Sequence, residues 1–190
     1  MTDEIASSSL TEVAGAIAAK EVSSVEVTEA CLARIECLQP RLNCFISLEA
    51  DGALEAARDA DRCLARSDAI GPLHGVPLAH KDMFYRAGKV STCGSIIRRD
   101  FVPEVTATVM TRLIEAGALH LGGLNMSEFA NGPTGHNVHF GDCHNPWNTD
   151  HVAGGSSSGS GAAVAARLIY GALGSDTGGS VRIPAALNGL

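Results

Sequence analysis

Two glycine-serine clusters lie close together in the chain, G-G-S-S-S-G-S-G over residues 154–161 and G-S-D-T-G-G-S-V-R over residues 174–182. A flexible linker would account for the glycines and serines. It would not account for the helix-forming run from Ala162 to Tyr170 between the clusters, nor for the charges of Asp176 and Arg182. A glycine-rich turn ahead of a helix can aim several backbone N–H groups at one point, where they stabilise a phosphate or a developing oxyanion. The phosphate-binding pattern Gly-x-x-x-x-Gly-Lys is absent. A dinucleotide pattern G-x-G-x-x-G that begins at Gly159 fails at its sixth position, Val164. The G-x-S-x-G nucleophile elbow is matched by residues 155–159, but that elbow needs a later histidine, and none follows His151.

A serine nucleophile without histidine needs another base. The lysines are Lys20, Lys81 and Lys89, and only Lys81 ends an apolar, strand-like run, Val76-Pro77-Leu78-Ala79-His80. Burial at such a place destabilises the ammonium form and lowers the pKa. A neutral lysine can then take a proton from serine, the Ser-Lys alternative to Ser-His-Asp. The competing reading is an exposed lysine beside Asp82.

G-P-L-H-G-V-P-L-A-H-K-D at 71–82, G-G-S-S-S-G-S-G-A-A-V-A-A at 154–166 and G-S-D-T-G-G-S-V-R-I-P-A at 174–185 together resemble the motifs of the amidase signature family, in the same order. The resemblance takes in the N-terminal helices and N-M-S-E-F-A-N-G at 125–132, and so runs through nearly the whole chain. It implies a Ser-cisSer-Lys triad, with Ser180 as nucleophile, Ser156 as bridging serine after a cis peptide bond, and Lys81 as base. Ser156 precedes Ser180 by 24 residues, the separation the family pattern asks for. Thr177, Gly178, Gly179 and Ser180 would aim their N–H groups at the oxyanion, and Ser157 and Ser158 would lend supporting hydrogen bonds. Asp176 would organise its loop. Arg182 would either meet a substrate carboxylate through a forked contact or anchor the loop to a buried acid.

The implied activity is hydrolysis of a carboxamide to a carboxylate and ammonia or an amine, through an acyl-enzyme intermediate, with no cofactor and no metal. N-M-S-E-F-A-N-G-P-T-G at 125–135 also resembles the glutaminase component, the A subunit, of tRNA-dependent amidotransferases. There the same triad would release ammonia from glutamine and pass it to partner subunits. Family members are considerably longer than 190 residues. The resemblance therefore marks residues 1–190 as the N-terminal portion of a single amidase signature domain, and a non-catalytic fragment or binding module is the reading from another class. As such a portion it would leave a sheet edge open and apolar helix stripes uncovered. His136, His139, His144 and His151, with Asp142 and Cys143, suggest zinc, but their spacing is loose and no cysteine pair stands near. Shaping the loop or a pocket wall is the simpler role for them.

The elements that would position these groups follow from capping and periodicity. Ser9-Leu10-Thr11-Glu12 and Ser23-Ser24-Val25-Glu26 each fit a capping box and start a helix. The second helix carries the stripe Val27, Cys31, Ile35 and Leu38, and Gln39-Pro40 is expected to stop it. A strand is expected over 43–48, a helix from Asp51 to Ser67, a strand ending at Lys81, a helix from Val105 to Ala116 and a strand over 118–121. From Asn125 to Val152 periodicity disappears into a long loop, of the kind that is functional or disordered. Alternating helices and strands predict an α/β fold, and the resemblance implies the amidase signature version, a mixed β-sheet core with helices on both faces.

Composition limits the partners. With 14 Lys and Arg against 21 Asp and Glu the formal charge is −7, so no basic surface invites nucleic acid or anionic lipid. A small-molecule amide is the expected partner, a homodimer is compatible with the sequence, and amidotransferase subunits enter only under the second reading. The acidic N-terminus and the lack of any run of eighteen apolar residues point to the cytosol. Cys31, Cys37, Cys44, Cys63, Cys93 and Cys143 form no C-x-x-C pair and read as thiols packed as small hydrophobes.

Overall fold

The computed structural model describes residues 2–66 and 70–190. Three helices open the chain: α1 (Thr2–Ser7), α2 (Leu10–Ala18) and α3 (Ser24–Leu42). Both expected capping boxes form. Ser9 N donates to Glu12 Oε2 at 2.7 Å, and Ser23 N to Glu26 Oε2 at 2.9 Å, while each serine hydroxyl accepts the return bond. Asp61 adds a distant cap to α3, its carboxylate accepting from Ser24 N (2.7 Å) and Val25 N (3.2 Å).

Pro40 does not stop α3. It lies inside the last turn, and the helix continues to Leu42 before Asn43 turns left-handed (φ 51°) and donates its N–H to Gln39 O at 2.9 Å. Proline removes one N–H, and in the last turn only one intrahelical bond is lost before the helix ends. The stripe of α3 is covered, contrary to the expectation for an N-terminal portion. Val27, Cys31 and Ile35 are fully buried, Val27 in one core cluster and Cys31 and Ile35 in another, against which Leu38 packs.

After β1 (Phe45–Leu48), α4 (Ala50–Ala65) begins one residue earlier than expected; the expected end, Ser67, lies outside the described residues. Ala53, Ala57 and Ala60 form its buried face. Then come β2 (Pro77–Lys81), α5 (Thr108–Glu115) and β3 (Leu119–Leu124). β3 is longer than the expected 118–121 because Gly122 and Gly123 continue it. A Cβ on Gly122 would stand 2.1 Å from Ser47 O, so glycine here lets β1 approach closely, at a φ of 147° that other residues rarely adopt.

The chain closes with α6 (Ser158–Ala165), the two-residue β4 (Ala172–Leu173) and α7 (Arg182–Asn188). No pattern in the sequence signals β4 or α7. The helix expected over 162–170 is shifted towards the N-terminus, so the glycine-serine cluster is its first turn. Gly159 has no space for a side chain there, since a Cβ would meet Cys44 O at 2.3 Å and Asn125 N at 2.5 Å. The helix ends where Arg167 turns left-handed (φ 55°), with the Arg34 guanidinium donating to Ala166 O (3.0 Å) and Arg167 O (3.1 Å).

The sheet order is β1-β3-β2-β4, with β1 antiparallel to β3 and the other pairs parallel. The fold is thus mixed α/β, and β2 is central. Successive residues of β2 serve two cores. Ala79 joins a cluster with Cys31 and Ile35 of α3, Leu121 of β3 and Ala162 of α6. Leu78 joins another with Val13 and Ile17 of α2 and Val27 of α3. The parallel strands β2, β3 and β4 end at one rim, which brings Lys81, Asn125 and Gly174 together, the edge at which open α/β sheets bind ligands. The segment from Asn125 to Val152 is held rather than disordered. Asn125 Nδ2 donates to Asn43 O and Gly141 O, and Asn137 Nδ2 to Gly94 O and Met126 O.

Candidate active site

Lys81 closes β2 and has no exposed surface, which rules out the reading of an exposed lysine beside Asp82. Its Nζ lies 2.7 Å from Ser156 Oγ and 2.8 Å from Ser175 Oγ. Burial lowers its pKa to about 8, against a smaller upward pull from Cys93 and Asp176. The neighbouring Asp82 is turned away into its own cage. Its Oδ2 accepts from Thr92 N (2.9 Å) and from the Thr92 hydroxyl, while burial raises its pKa.

Ser156 is fully buried and follows a cis peptide bond, Gly155–Ser156. Its carbonyl accepts from Ser127 N at 3.1 Å, which fastens the 125–132 segment to the site. Ser157 joins the two clusters. Its N–H donates to Ser180 O (3.2 Å), its hydroxyl donates to Ser175 O (3.3 Å), and Ser175 N donates back to that hydroxyl (3.3 Å). Ser158 Oγ donates to Asn125 O at 3.3 Å. Lys81 and Ser156 therefore meet directly. Ser180 is brought alongside through its backbone; it is half-buried, and among the described residues its hydroxyl makes no hydrogen bond to either.

Asp176 organises the 174–182 loop. Its Oδ1 accepts from Gly179 N (2.8 Å) and its Oδ2 from Val181 N (3.1 Å) and Arg182 N (3.2 Å). The guanidinium of Arg182 completes the arrangement as a fork, Nε to Oδ2 at 3.0 Å and Nη2 to Oδ1 at 2.9 Å. That contact, with the backbone N–H groups, holds the Asp176 carboxyl far below the usual carboxylate range. Of the two roles expected for Arg182, the fork is used as an anchor, on an acid of its own loop. The expected set of oxyanion donors needs one correction. The Gly179 N–H is taken by Asp176, while the N–H groups of Thr177, Gly178 and Ser180 have no partner among the described residues. Behind the loop a cavity of about 210 Å³ is lined by Ser157, Gly174, Val181, Pro184, Ala185 and Leu190, among others.

Sequence reasoning misses Ser175, although it touches Lys81 as closely as Ser156 does. Its hydroxyl also lies 3.1 Å from Met83 Sδ. The available signal is its position inside the second cluster, just before Asp176, but which serine faces the lysine depends on β4, which leaves no periodic pattern. The histidines of the long loop make separate contacts: His136 with Asp142 (2.8 Å), His139 with Glu128 (2.8 Å) and His144 with Thr149 O (2.8 Å). Among the described residues no three His, Cys, Asp or Glu side chains gather as a metal site would require. No helix of the described residues is long and apolar enough to cross a membrane.

Known proteins are similar to this chain in sequence or in structure. The A subunit of the glutamyl-tRNA(Gln) amidotransferase of Aromatoleum aromaticum is 54% identical over 182 residues, which are 96% of this chain and 37% of that protein. The peptide amidase of Stenotrophomonas maltophilia superimposes with a TM-score of 0.90 at 38% identity, over 96% of this chain and 39% of its own. A fatty acid amide hydrolase does so with a TM-score of 0.93 at 32% identity, over 97% of this chain and 33% of its own. The chain thus spans between 33% and 39% of the length of these relatives. The family model for amidases matches residues 26–190, from the first turn of α3 through both glycine-serine clusters, and the chain belongs to the amidase family.

Proposed function

We propose that this chain carries the catalytic centre of the glutamine-hydrolysing component of a tRNA-dependent amidotransferase. The observation that carries this reading is the 54% identity to an amidotransferase A subunit across 96% of the chain, against 38% and 32% for the peptide amidase and the fatty acid amide hydrolase. The buried contact between Lys81 and Ser156 supports the chemistry.

In this proposal neutral Lys81 accepts the proton of Ser156, and Ser156 draws the proton of Ser180 as Ser180 Oγ attacks the side-chain amide carbon of glutamine. The carbonyl oxygen, now negative, is met by the open N–H groups at Thr177, Gly178 and Ser180. The proton returns through Ser156 to the amide nitrogen, the C–N bond breaks, and ammonia leaves an acyl ester on Ser180. Water then attacks that ester by the same relay and releases glutamate. Partner subunits would take up the ammonia.

The test is ammonia release from glutamine, compared with simple carboxamides and peptide amides, by the full-length protein. The reading requires glutamine to be the preferred substrate. Preference for another amide would favour the second reading, a stand-alone amidase, for which the match to the peptide amidase speaks.

A further inference from the structure

The proposed relay gives no role to the segment N-M-S-E-F-A-N-G, 125–132, yet this segment and the residues just after it grip residues 155 and 156 from both sides. Ser127 N donates to Ser156 O at 3.1 Å, and Gly155 N donates to Pro133 O at 2.7 Å. The fit is tight, since a Cβ on Gly155 would stand 2.6 Å from both Gly132 O and Gly135 N. Ser127 opens a turn that its residues do not favour by themselves. Phe129 (φ 49°) and Ala130 (φ 60°) are both left-handed, and so is Cys93 (φ 54°), whose carbonyl accepts from Phe129 N at 2.9 Å. Residues that carry a Cβ rarely take that conformation, and it persists where the surroundings hold it.

The side chain that ties this turn to its surroundings is Glu128. Its Oε1 accepts from Ser95 Oγ at 2.6 Å and lies 2.8 Å from His139 Nε2. Ser95 is fully buried, and its hydroxyl is itself fixed by accepting from Ile97 N at 3.3 Å. The His139 contact lies nearer the surface, where solvent can take its place. We propose that Glu128 is a positioning residue for amide hydrolysis: through Ser95 it sets the turn at Phe129 and Ala130, and the turn sets the Ser127 N–H that holds Ser156 against Lys81. The proposal rests on the reading of Ser156 as the proton relay. Glu128 acts through Ser127 because, among the described residues, it makes no hydrogen bond to Lys81, Ser156 or Ser180. A small displacement of Ser156 spoils proton transfer and leaves substrate binding intact, so the loss falls on kcat and not on KM. The role needs an acceptor at one place rather than a charge. Both bonds go to the same oxygen, which the amide oxygen of glutamine can replace, whereas aspartate keeps the charge and is one methylene too short.

The experiment measures ammonia release from glutamine and from propionamide by the full-length protein, per folded molecule as counted by the amplitude of its denaturant transition. The variants are Glu128→Ala, Glu128→Gln, Glu128→Asp, Ser95→Ala, and Glu128→Ala combined with Ser95→Ala. Glu128→Ala is expected to lower kcat about 10–100-fold with KM within about twofold of the parent. Glu128→Gln should recover kcat to within about fivefold of the parent, and Glu128→Asp should not. Ser95→Ala should lower kcat about three- to tenfold, and adding it to Glu128→Ala should bring no further loss, because the two act through one bond. Parental kcat in Glu128→Ala, or a loss carried by KM, would overturn the proposal. So would rescue by Glu128→Asp and not by Glu128→Gln, since charge would then be what matters, or additive losses at Ser95 and Glu128. Where Glu128→Ala does not fold, the contrast between Glu128→Gln and Glu128→Asp decides. Ser156→Ala separates this proposal from the reading it rests on. If Ser156→Ala abolishes turnover and Glu128→Ala keeps it, the positioning role alone fails; if Ser156→Ala keeps parental turnover, the relay fails and the positioning role falls with it. Hydrolysis of propionamide without hydrolysis of glutamine would defeat the glutamine reading, and the expected pattern among the variants on propionamide would still uphold the positioning of Ser156.

Discussion

Lys81 Nζ and Ser156 Oγ lie 2.7 Å apart, and neither side chain reaches solvent. A buried amine in contact with a buried hydroxyl is expensive unless the pair has a use, because desolvation penalises the charged amine most. The pair joins the end of β2 to the residue after a cis peptide bond, 75 positions along the chain.

Removing either partner should therefore be costly to turnover. In the full-length protein, Lys81→Ala and Ser156→Ala are each expected to lower kcat for glutamine by about 10²–10⁴-fold. His136→Ala and His139→Ala should leave it within a few-fold. Steady-state ammonia release checks this, and equal losses at a histidine would point to a different base.

The pH profile follows from the lowered pKa of Lys81. The amine works as a base only when neutral, and burial brings its pKa down to about 8. Below that value the neutral fraction falls about tenfold per pH unit, so kcat/KM should rise with pH and level off above about 8. A midpoint near 6.5 would instead indicate a histidine.

Ser175 should tune that midpoint. Its hydroxyl lies 2.8 Å from Lys81 Nζ and, as an acceptor, favours the ammonium form. Ser175→Ala is expected to move the midpoint below that of the parent, and Ser175→Thr to restore it. An unchanged profile in Ser175→Ala would show that this contact is only structural.

Much of this site is legible in the sequence, and the illegible parts share a cause. Lys81 ends β2, a strand its apolar run announces, whereas Ser156 and Asp176 are singled out by the resemblance and not by any local pattern. The partner of Lys81 at Ser175, and the loss of the Gly179 N–H to Asp176, depend on how two loops meet across β4, a strand too short to leave a pattern. The same holds for the fold. Capping boxes announce α2 and α3, whereas α6 begins inside a segment whose glycines read as a turn and serve as packing positions against Cys44 and Asn125. Pro40 reads as a stop, but so close to the helix end it costs little.

A buried pair of histidines on neighbouring strands should make stability depend on pH. His80 and His120 stack edge to face, 5.8 Å apart, and burial lowers their pKa values to about 3 and about 4. An unfolded histidine titrates near 6.5, so below that pH the unfolded chain binds more protons than the folded one. The stability held above about 6.5 should be lost progressively as pH falls towards about 4. Each histidine contributes at most about 1.4 kcal/mol per pH unit in that window. Denaturant titrations between these limits check this, and His120→Leu should flatten the slope. An equal slope in that variant would assign the effect to other groups.

The central claim, that Lys81 and Ser156 activate Ser180 for attack on glutamine, is tested most directly by trapping the acyl-enzyme. Full-length protein mixed with glutamine, quenched in acid and digested, is read by mass spectrometry across the peptides that contain residues 154–161 and 174–182. A glutamyl ester on Ser180 is predicted, lost in Lys81→Ala and in Ser156→Ala. An ester on Ser157 or Ser175, or ammonia release that continues at full rate in Ser180→Ala, would contradict it.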